Sequence, residues 1–276
     1  RDTLMTFVLG TFFFLLGTII GSFLNVVICR YNTGMGLGGR SQCFSCGKTL
    51  HWHELIPILS YFLLRGKCSK CKSAISSQYA LVEFFTGILF LLVSPLFIPA
   101  LFAVSFSLYI ILKLALTLVV MSVLVVIFVY DLKHKIIPDS LAVIFALCAL
   151  IIASLQSNGF HMVSGWWLLA GPLVALPFAL LWFVSGGRWM GLGDAKLAVG
   201  IGWMLGIEYG FSAIMLSFWI GAVVSVGYLL IQRMRLPQSK EQLTMKSEIP
   251  FAPFLIIGFL IVYFFHITLF HGFSFL

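Results

Sequence analysis

Charge is what this chain has least of. Asp, Glu, Lys and Arg make up 9% of its 276 residues, where a soluble globular domain carries about 25%. Acids are the scarcer half, nine against seventeen basic residues. So few charges cannot cover a water-facing surface, which excludes a large soluble helical core. No basic stripe interleaves with base-stacking aromatics, so the net charge of +8 does not point to nucleic acid. No glycine-rich nucleotide fingerprint is present either. The first apolar run is not expected to be a cleavable signal peptide. It is too long for an h-region, has no small-residue cleavage site, and ends in Asn25 to Arg30 as a retained span does.

What is abundant is apolar. Hydrophobic residues reach 61% and the mean hydropathy is +1.09, in long runs with no polar alternation. A bilayer core takes about 20 apolar residues per helical span. The pattern predicts an all-α polytopic transmembrane helical bundle of about eight spans: 5–29, 79–94, 108–130, 140–156, 166–185, 196–207, 210–231 and 251–270. Residues 95–107, which include Pro95 and Pro99, read as a connector or interfacial segment. Glu208, Tyr209 and Gly210 read as the break before the seventh span. The bilayer is thus the first partner.

Basic residues set the orientation. The connectors 30–78, 131–139, 186–195 (taken with Lys196) and 232–250 hold 7, 2, 2 and 4 Lys and Arg, 15 of the 17. Positive connectors face the cytosol, so all four are expected there, with both termini outward. Three parts follow: 1–29, the first transmembrane span; 30–78, a cytosolic four-cysteine zinc loop; and 79–276, a transmembrane core.

The loop carries Cys43 and Cys46, then Cys68 and Cys71, as two C-x2-C pairs separated by 21 residues. Two such pairs bring four thiolates onto one tetrahedral ion. The spacing is longer than a usual zinc ribbon, but lengthening a loop costs little entropy. Two disulfides are the competing reading, disfavoured by a reducing cytosol; unliganded thiols are the other. A four-cysteine zinc site has no open position, so the zinc is expected to be structural and to fold a loop with little core of its own. His51 and His53 lie between the pairs, but four cysteines already complete the site. Cys29 and Cys148 read as packing residues.

Of the nine acids, Asp2, Glu54, Asp139, Glu208, Glu241 and Glu248 fall to loops or caps. Glu83, Asp131 and Asp194 remain, at membrane depth or its edge, where an ionisable group defaults to a functional hypothesis. Glu83 stands equally well as a buried structural acid. Asp131 closes the third span and Asp194 precedes the sixth, so both belong to the cytosolic edge. Two carboxylates sharing a proton activate a water and protonate a leaving amine. Gly191 and Gly193 leave space beside Asp194 for a substrate backbone. Helix capping is the plainer reading. It suits Asp139, before the fourth span, and is open to Asp194. It suits Asp131 poorly, because a helix C-terminus disfavours an anion. The same dipoles would make Asp194 the ionised base and Asp131 the protonated acid, with Lys196 reinforcing Asp194.

Taken together, four segments resemble the bacterial type IV prepilin peptidase family, across essentially the whole chain. They are Gly21-Ser22-Phe23-Leu24-Asn25 running to Arg30; the cysteine loop with Ile56-Pro57, Ser60-Tyr61 and Leu64-Arg65-Gly66-Lys67, running on to Glu83; Asp131 through Ile137-Pro138-Asp139; and Gly191-x-Gly193-Asp194-x-Lys196 with the distal Pro250-Phe251-Ala252-Pro253. Cys29, Phe44 and Ala252 depart from the usual aromatic, Pro and Gly. The resemblance implies an aspartic peptidase in the inner membrane, with Asp131 and Asp194 as its catalytic aspartates. It implies type IV prepilin or pseudopilin precursors as substrates, cut after a Gly that ends a short basic leader. It also implies N-methylation of the new terminus with S-adenosylmethionine, a step associated with the cysteine loop. No residue is identified for that cofactor. Two rivals stand beside it: a presenilin-like intramembrane protease, which also uses a G-x-G-D aspartate, and a non-enzymatic zinc-binding scaffold or transporter. Gly17-x-x-x-Gly21 permits close helix packing within one chain or in a homo-oligomer.

Overall fold

A computed structural model describes residues 2–34, 36–101, 108–156, 165–235 and 250–269. Nine α-helices are present among them, and no strand. They are α1 (Asp2–Arg30), α2 (Leu59–Leu63), α3 (Gln78–Leu101), α4 (Leu108–His134), α5 (Asp139–Gln156), α6 (Gly165–Ser185), α7 (Leu192–Leu205), α8 (Ile207–Arg235) and α9 (Ala252–Phe265). Each of the eight expected spans coincides with one helix, α2 being the addition. Five helices, α1, α3, α4, α6 and α8, are long and apolar enough to cross a membrane; α5 and α9 are shorter apolar helices, and α7 has 14 residues.

Three of the boundaries that differ from expectation have a clear local reason. Helix α3 runs through Pro95 and Pro99 to Leu101, where a connector was expected from 95; prolines are tolerated in apolar helices whose freed backbone groups find other partners. The break before α8 falls at Gly206, at φ +83 with its N–H on Gly202 O. That is a positive-φ helix stop in a backbone region essentially open to glycine alone, and Glu208 to Gly210 lie inside α8. Helix α7 starts at Leu192, four residues early, and so takes Asp194 into its first turn. The part of the fourth basic connector at 236–249 lies outside the described residues.

The chain divides into two compact units, residues 1–126 and 127–276. In the first, α1 lies along α3. A Cβ on Gly17 would stand 2.8 Å from Gly87 Cα, and one on Gly21 2.7 Å from Glu83 Cα. The glycine pair is therefore spent on contact within the chain. In the second unit α7 is the central helix and packs on α5, α6, α8 and α9. Phe145, Phe178, Leu197, Ile201, Leu255 and Phe259 are fully buried around it. This short, enclosed helix begins with the residues that matter next.

Candidate functional site

Asp131 lies three residues before the end of α4, whose last turn closes with Lys135 N–H on Asp131 O at 2.8 Å. Asp194 is the third residue of α7, after Gly191 as N-cap. Two separate helices thus deliver two carboxylates to the second unit, which takes in the end of α4 from Ile127 on. Both are buried, 3% and 8% exposed, and they are close enough for the Asp131 charge to act on Asp194. Two buried carboxylates placed this way are suited to sharing one proton. Asp131 accepts a hydrogen bond from the Ala252 amide, while its Oδ2 is buried with no partner among the described residues.

The Ala252 amide had no side-chain signal in the sequence. It belongs to the first turn of α9, where unpaired N–H groups present partial positive charge. Asp131 therefore stands between a helix C-terminus of its own and the N-terminus of α9. The macrodipole argument no longer separates the two acids. Nor does Lys196 reinforce Asp194: its Nζ bonds Asp139 Oδ1 at 2.7 Å.

Asp139 is not the cap of α5. Pro138 O accepts the N–H groups of Leu141 and Ala142, both at 3.1 Å, which makes Pro138 the N-cap and Asp139 the first helical residue. Its carboxylate is exposed and paired with Lys196 across to α7. The glycines beside Asp194 also divide their roles. A Cβ on Gly193 would sit 3.0 Å from Ile137 Cβ, so Gly193 serves the packing of α7 against the segment before α5. Only Gly191 leaves open space, its nearest neighbours 3.9 and 4.0 Å away.

In the first unit the four cysteines come together. The Sγ atoms of Cys43, Cys46, Cys68 and Cys71 all lie within 4.8 Å of one another, and Cys43 and Cys71 are 3.9 Å apart. A tetrahedral zinc–thiolate site, with Zn–S about 2.3 Å, has an S–S edge of about 3.8 Å. The cluster fits that ion after slight contraction. It is not disulfide-bonded. The two halves repeat one backbone design: Cys43 N–H bonds Lys48 O and Gly47 N–H bonds Cys43 O, as Cys68 N–H bonds Ser73 O and Lys72 N–H bonds Cys68 O, all at 2.9–3.0 Å. Gly47 and Lys72 occupy the matching positive-φ position. The His51 and His53 rings stack on each other, exposed.

These knuckles lower the thiol pKa where amides point at sulfur. The amides of Ser45 and Cys46 and the Ser73 hydroxyl hold Cys43 down at about 6, and Ser73 lowers Cys71 as well. At Cys46 a hydrogen bond from Lys48 is outweighed by desolvation and the neighbouring sulfurs, which push it up to about 11. Thiolates gathered this closely call for a cation. Glu54, expected only in a loop or cap, joins the two knuckles. Its buried carboxylate pairs with Lys48 Nζ at 2.8 Å and accepts from the Ser69 hydroxyl and from His51 N–H. The bond from His51 N–H makes Glu54 a cap of the short 3-10 turn Trp52–Leu55.

Glu83 also finds a use. Its Oε2 accepts the Ile58 amide at 2.7 Å and its carboxylate takes the Ser22 hydroxyl, so a buried acid ties the loop to α1 and α3. Next to it, Asn25 Nδ2 bonds Tyr79 O at 3.1 Å.

Comparison with known proteins agrees in both units. A profile described as the Bacterial Peptidase A24 N-terminal domain matches residues 15–97, and one described as the Type IV leader peptidase family matches residues 118–226. A Bacillus subtilis (strain 168) protein named "Prepilin leader peptidase/N-methyltransferase" is 32% identical over 91% of this chain and 92% of its own length. A Pseudomonas aeruginosa protein of that name is 31% identical over 92% of this chain and 89% of its length. A third, from Myxococcus xanthus, is 33% identical, and the chain spans 63% of that longer protein. No solved structure matches the chain.

Proposed function

We propose, from the premise that this chain belongs to the type IV leader peptidase family, that Asp131 and Asp194 are its catalytic pair. In this reading the enzyme removes the basic leader of type IV prepilin or pseudopilin precursors after a Gly, at the cytosolic face of the inner membrane. The observation that carries it is the meeting, in one unit, of two buried carboxylates from different helices. One carboxylate accepts a proton from water as the oxygen attacks the scissile carbonyl carbon. The other carboxylic acid donates its proton to that carbonyl oxygen. Collapse of the tetrahedral intermediate breaks the C–N bond, and the amine leaves with a proton from the same pair. Gly191 leaves room for the substrate backbone beside Asp194.

Cys43, Cys46, Cys68 and Cys71 would hold one zinc ion. The ion supplies a fold for the loop, since four thiolates leave it no position for substrate. In this division residues 30–78 form the metal loop and 79–276 carry the peptidase. The relatives' name adds methylation of the new N-terminus, for which S-adenosylmethionine supplies a sulfonium methyl group. No residue of this chain is assigned to holding it. A presenilin-like protease would have no use for the loop. A scaffold or transporter would not bury two acids together at one end of its helices.

Incubation of the purified protein in lipid with a purified prepilin and isotope-labelled S-adenosylmethionine tests the reading. The expected product is shorter by the leader and heavier by one methyl group. An intact precursor, with zinc bound and the protein folded, would favour the scaffold.

A further inference from the structure

Helix α2 carries an apolar stripe that no described residue covers. Within α2, Leu59, Phe62 and Leu63 are spaced i, i+3, i+4 and project on one side, and Trp52 and Leu55 of the preceding 3-10 turn are exposed as well. Phe62 is 68% exposed, Leu63 78% and Trp52 79%. A contiguous apolar crest of this kind marks an interaction surface.

Two observations identify what the crest meets. The first is depth. Glu83 holds the amide of Ile58, the residue just before α2. Glu83 is the sixth residue of α3 and lies in the stretch Gln78–Pro99 that is apolar enough to cross a membrane, about 8 Å along the helix from its start at 1.5 Å per residue. The start of α2 is therefore pinned at a level where α3 has already entered its apolar stretch. The backbone is strained to arrive there. Ile58 sits at φ +62, ψ −54, with Leu59 N–H on Pro57 O at 2.6 Å, a γ-turn that is rare for a β-branched residue. The second observation is charge. Arg65, Lys67, Lys70 and Lys72 follow the stripe, all exposed. The lone acid of residues 30–78, Glu54, is buried and paired with Lys48. A second copy of this chain would bring the same basic rim and be repelled.

We propose that α2 is an interfacial anchor. Its stripe lies in the headgroup boundary of an anionic lipid surface, and Arg65 and Lys67, nearest the stripe, meet the lipid phosphates, with Lys70 farther out in water. An apolar face flanked by basic residues binds membranes in this way. The inference is independent of the peptidase reading, and its test uses no substrate.

The full-length protein is reconstituted in vesicles of phosphatidylcholine alone or mixed with phosphatidylglycerol. A ketone-bearing phenylalanine analogue replaces Phe62, or Leu63 in a second variant, or Lys70 as the aqueous reference. Each is coupled to a nitroxide without touching the cysteines, and zinc content is checked on every labelled protein. Paramagnetic relaxation by oxygen and by a water-soluble nickel chelate reads the depth. At 62 and 63 oxygen should relax the label several-fold more than nickel, with the order reversed at 70. The contrast should grow with phosphatidylglycerol and shrink in high salt. Labels at 62 and 63 as open to nickel as the one at 70 would overturn the proposal. So would labels shielded from both reagents, which would mean a protein partner, or a contrast identical in neutral and anionic vesicles.

Discussion

At the residue scale, the site depends on a few atoms placed by packing. Gly193 is the sharpest case. A methyl group there meets Ile137 Cβ at 3.0 Å, and the nearest relief moves the first turn of α7, with Asp194 in it. Gly193→Ala should therefore lower kcat by about 10–100-fold, the scale of an ångström's misplacement, with the protein still folded. Ile137→Gly in the same chain, which removes the Cβ that the methyl meets, should recover part of the loss, as prepilin cleavage rates would record; no recovery would mean that Gly193 acts through substrate instead. Asp139→Asn removes an exposed pair with Lys196, worth about 0–1 kcal/mol. Leader cleavage should stay within a few-fold of wild type, and a dead enzyme would reassign the pair. Glu54 makes the pH prediction. Hydrogen bonds from Lys48, Ser69 and His51 hold its carboxyl at about 2, below an ordinary 4.5. A depressed folded value means that the stabilisation is full above about 4.5 and fades as pH falls toward about 2. Thermal stability of the metal-free wild type and Glu54→Gln should therefore differ above about pH 4.5 and converge as pH falls toward about 2. A difference independent of pH would show that Glu54 does not act through its charge. The sequence made the cysteines and both aspartates legible because their types and spacing carry the chemistry. It hid the Ala252 amide and the Ile58 amide, because any residue supplies an N–H.

Among the elements, the helices were the easiest to read and their ends the hardest. Twenty apolar residues announce a span wherever they occur. A helix end depends on which backbone groups find partners. Helix α3 passes two prolines, α7 begins early enough to include Asp194, and Pro138 rather than Asp139 caps α5. The loop's paired knuckles were legible as C-x2-C, while their repeated backbone bonding was not. The pairing of α1 with α3 is open to direct test. Gly17→Val would drive a side chain into the backbone of Gly87 and Thr86, at a cost of about 1–3 kcal/mol for overpacking. Thermal unfolding in detergent should show a clear drop, while Gly227→Ala, where nothing lies within 4 Å, should show little change. Equal behaviour of the two variants would mean that α1 and α3 do not touch as described.

For the molecule as a whole, the two units carry different chemistry: four thiolates suited to a metal in residues 1–126, and two buried acids in residues 127–276. Composition made the membrane class plain, since a chain with 9% charged residues has few other places to fold. The grouping of helices into units was not legible, because apolar periodicity does not say which span meets which. The account's central claim is that Asp131 and Asp194 together perform the cleavage. The most direct measurement follows leader release from one purified prepilin by mass spectrometry, with wild type, Asp131→Asn, Asp194→Asn and Asp139→Asn side by side in the same lipid. Asp131→Asn and Asp194→Asn should each lose at least about 10²–10⁴-fold in rate, the range contributed by a general acid or base, while zinc content and thermal stability hold and Asp139→Asn continues to cleave. Cleavage at the wild-type rate by a folded Asp131→Asn or Asp194→Asn variant would contradict the account.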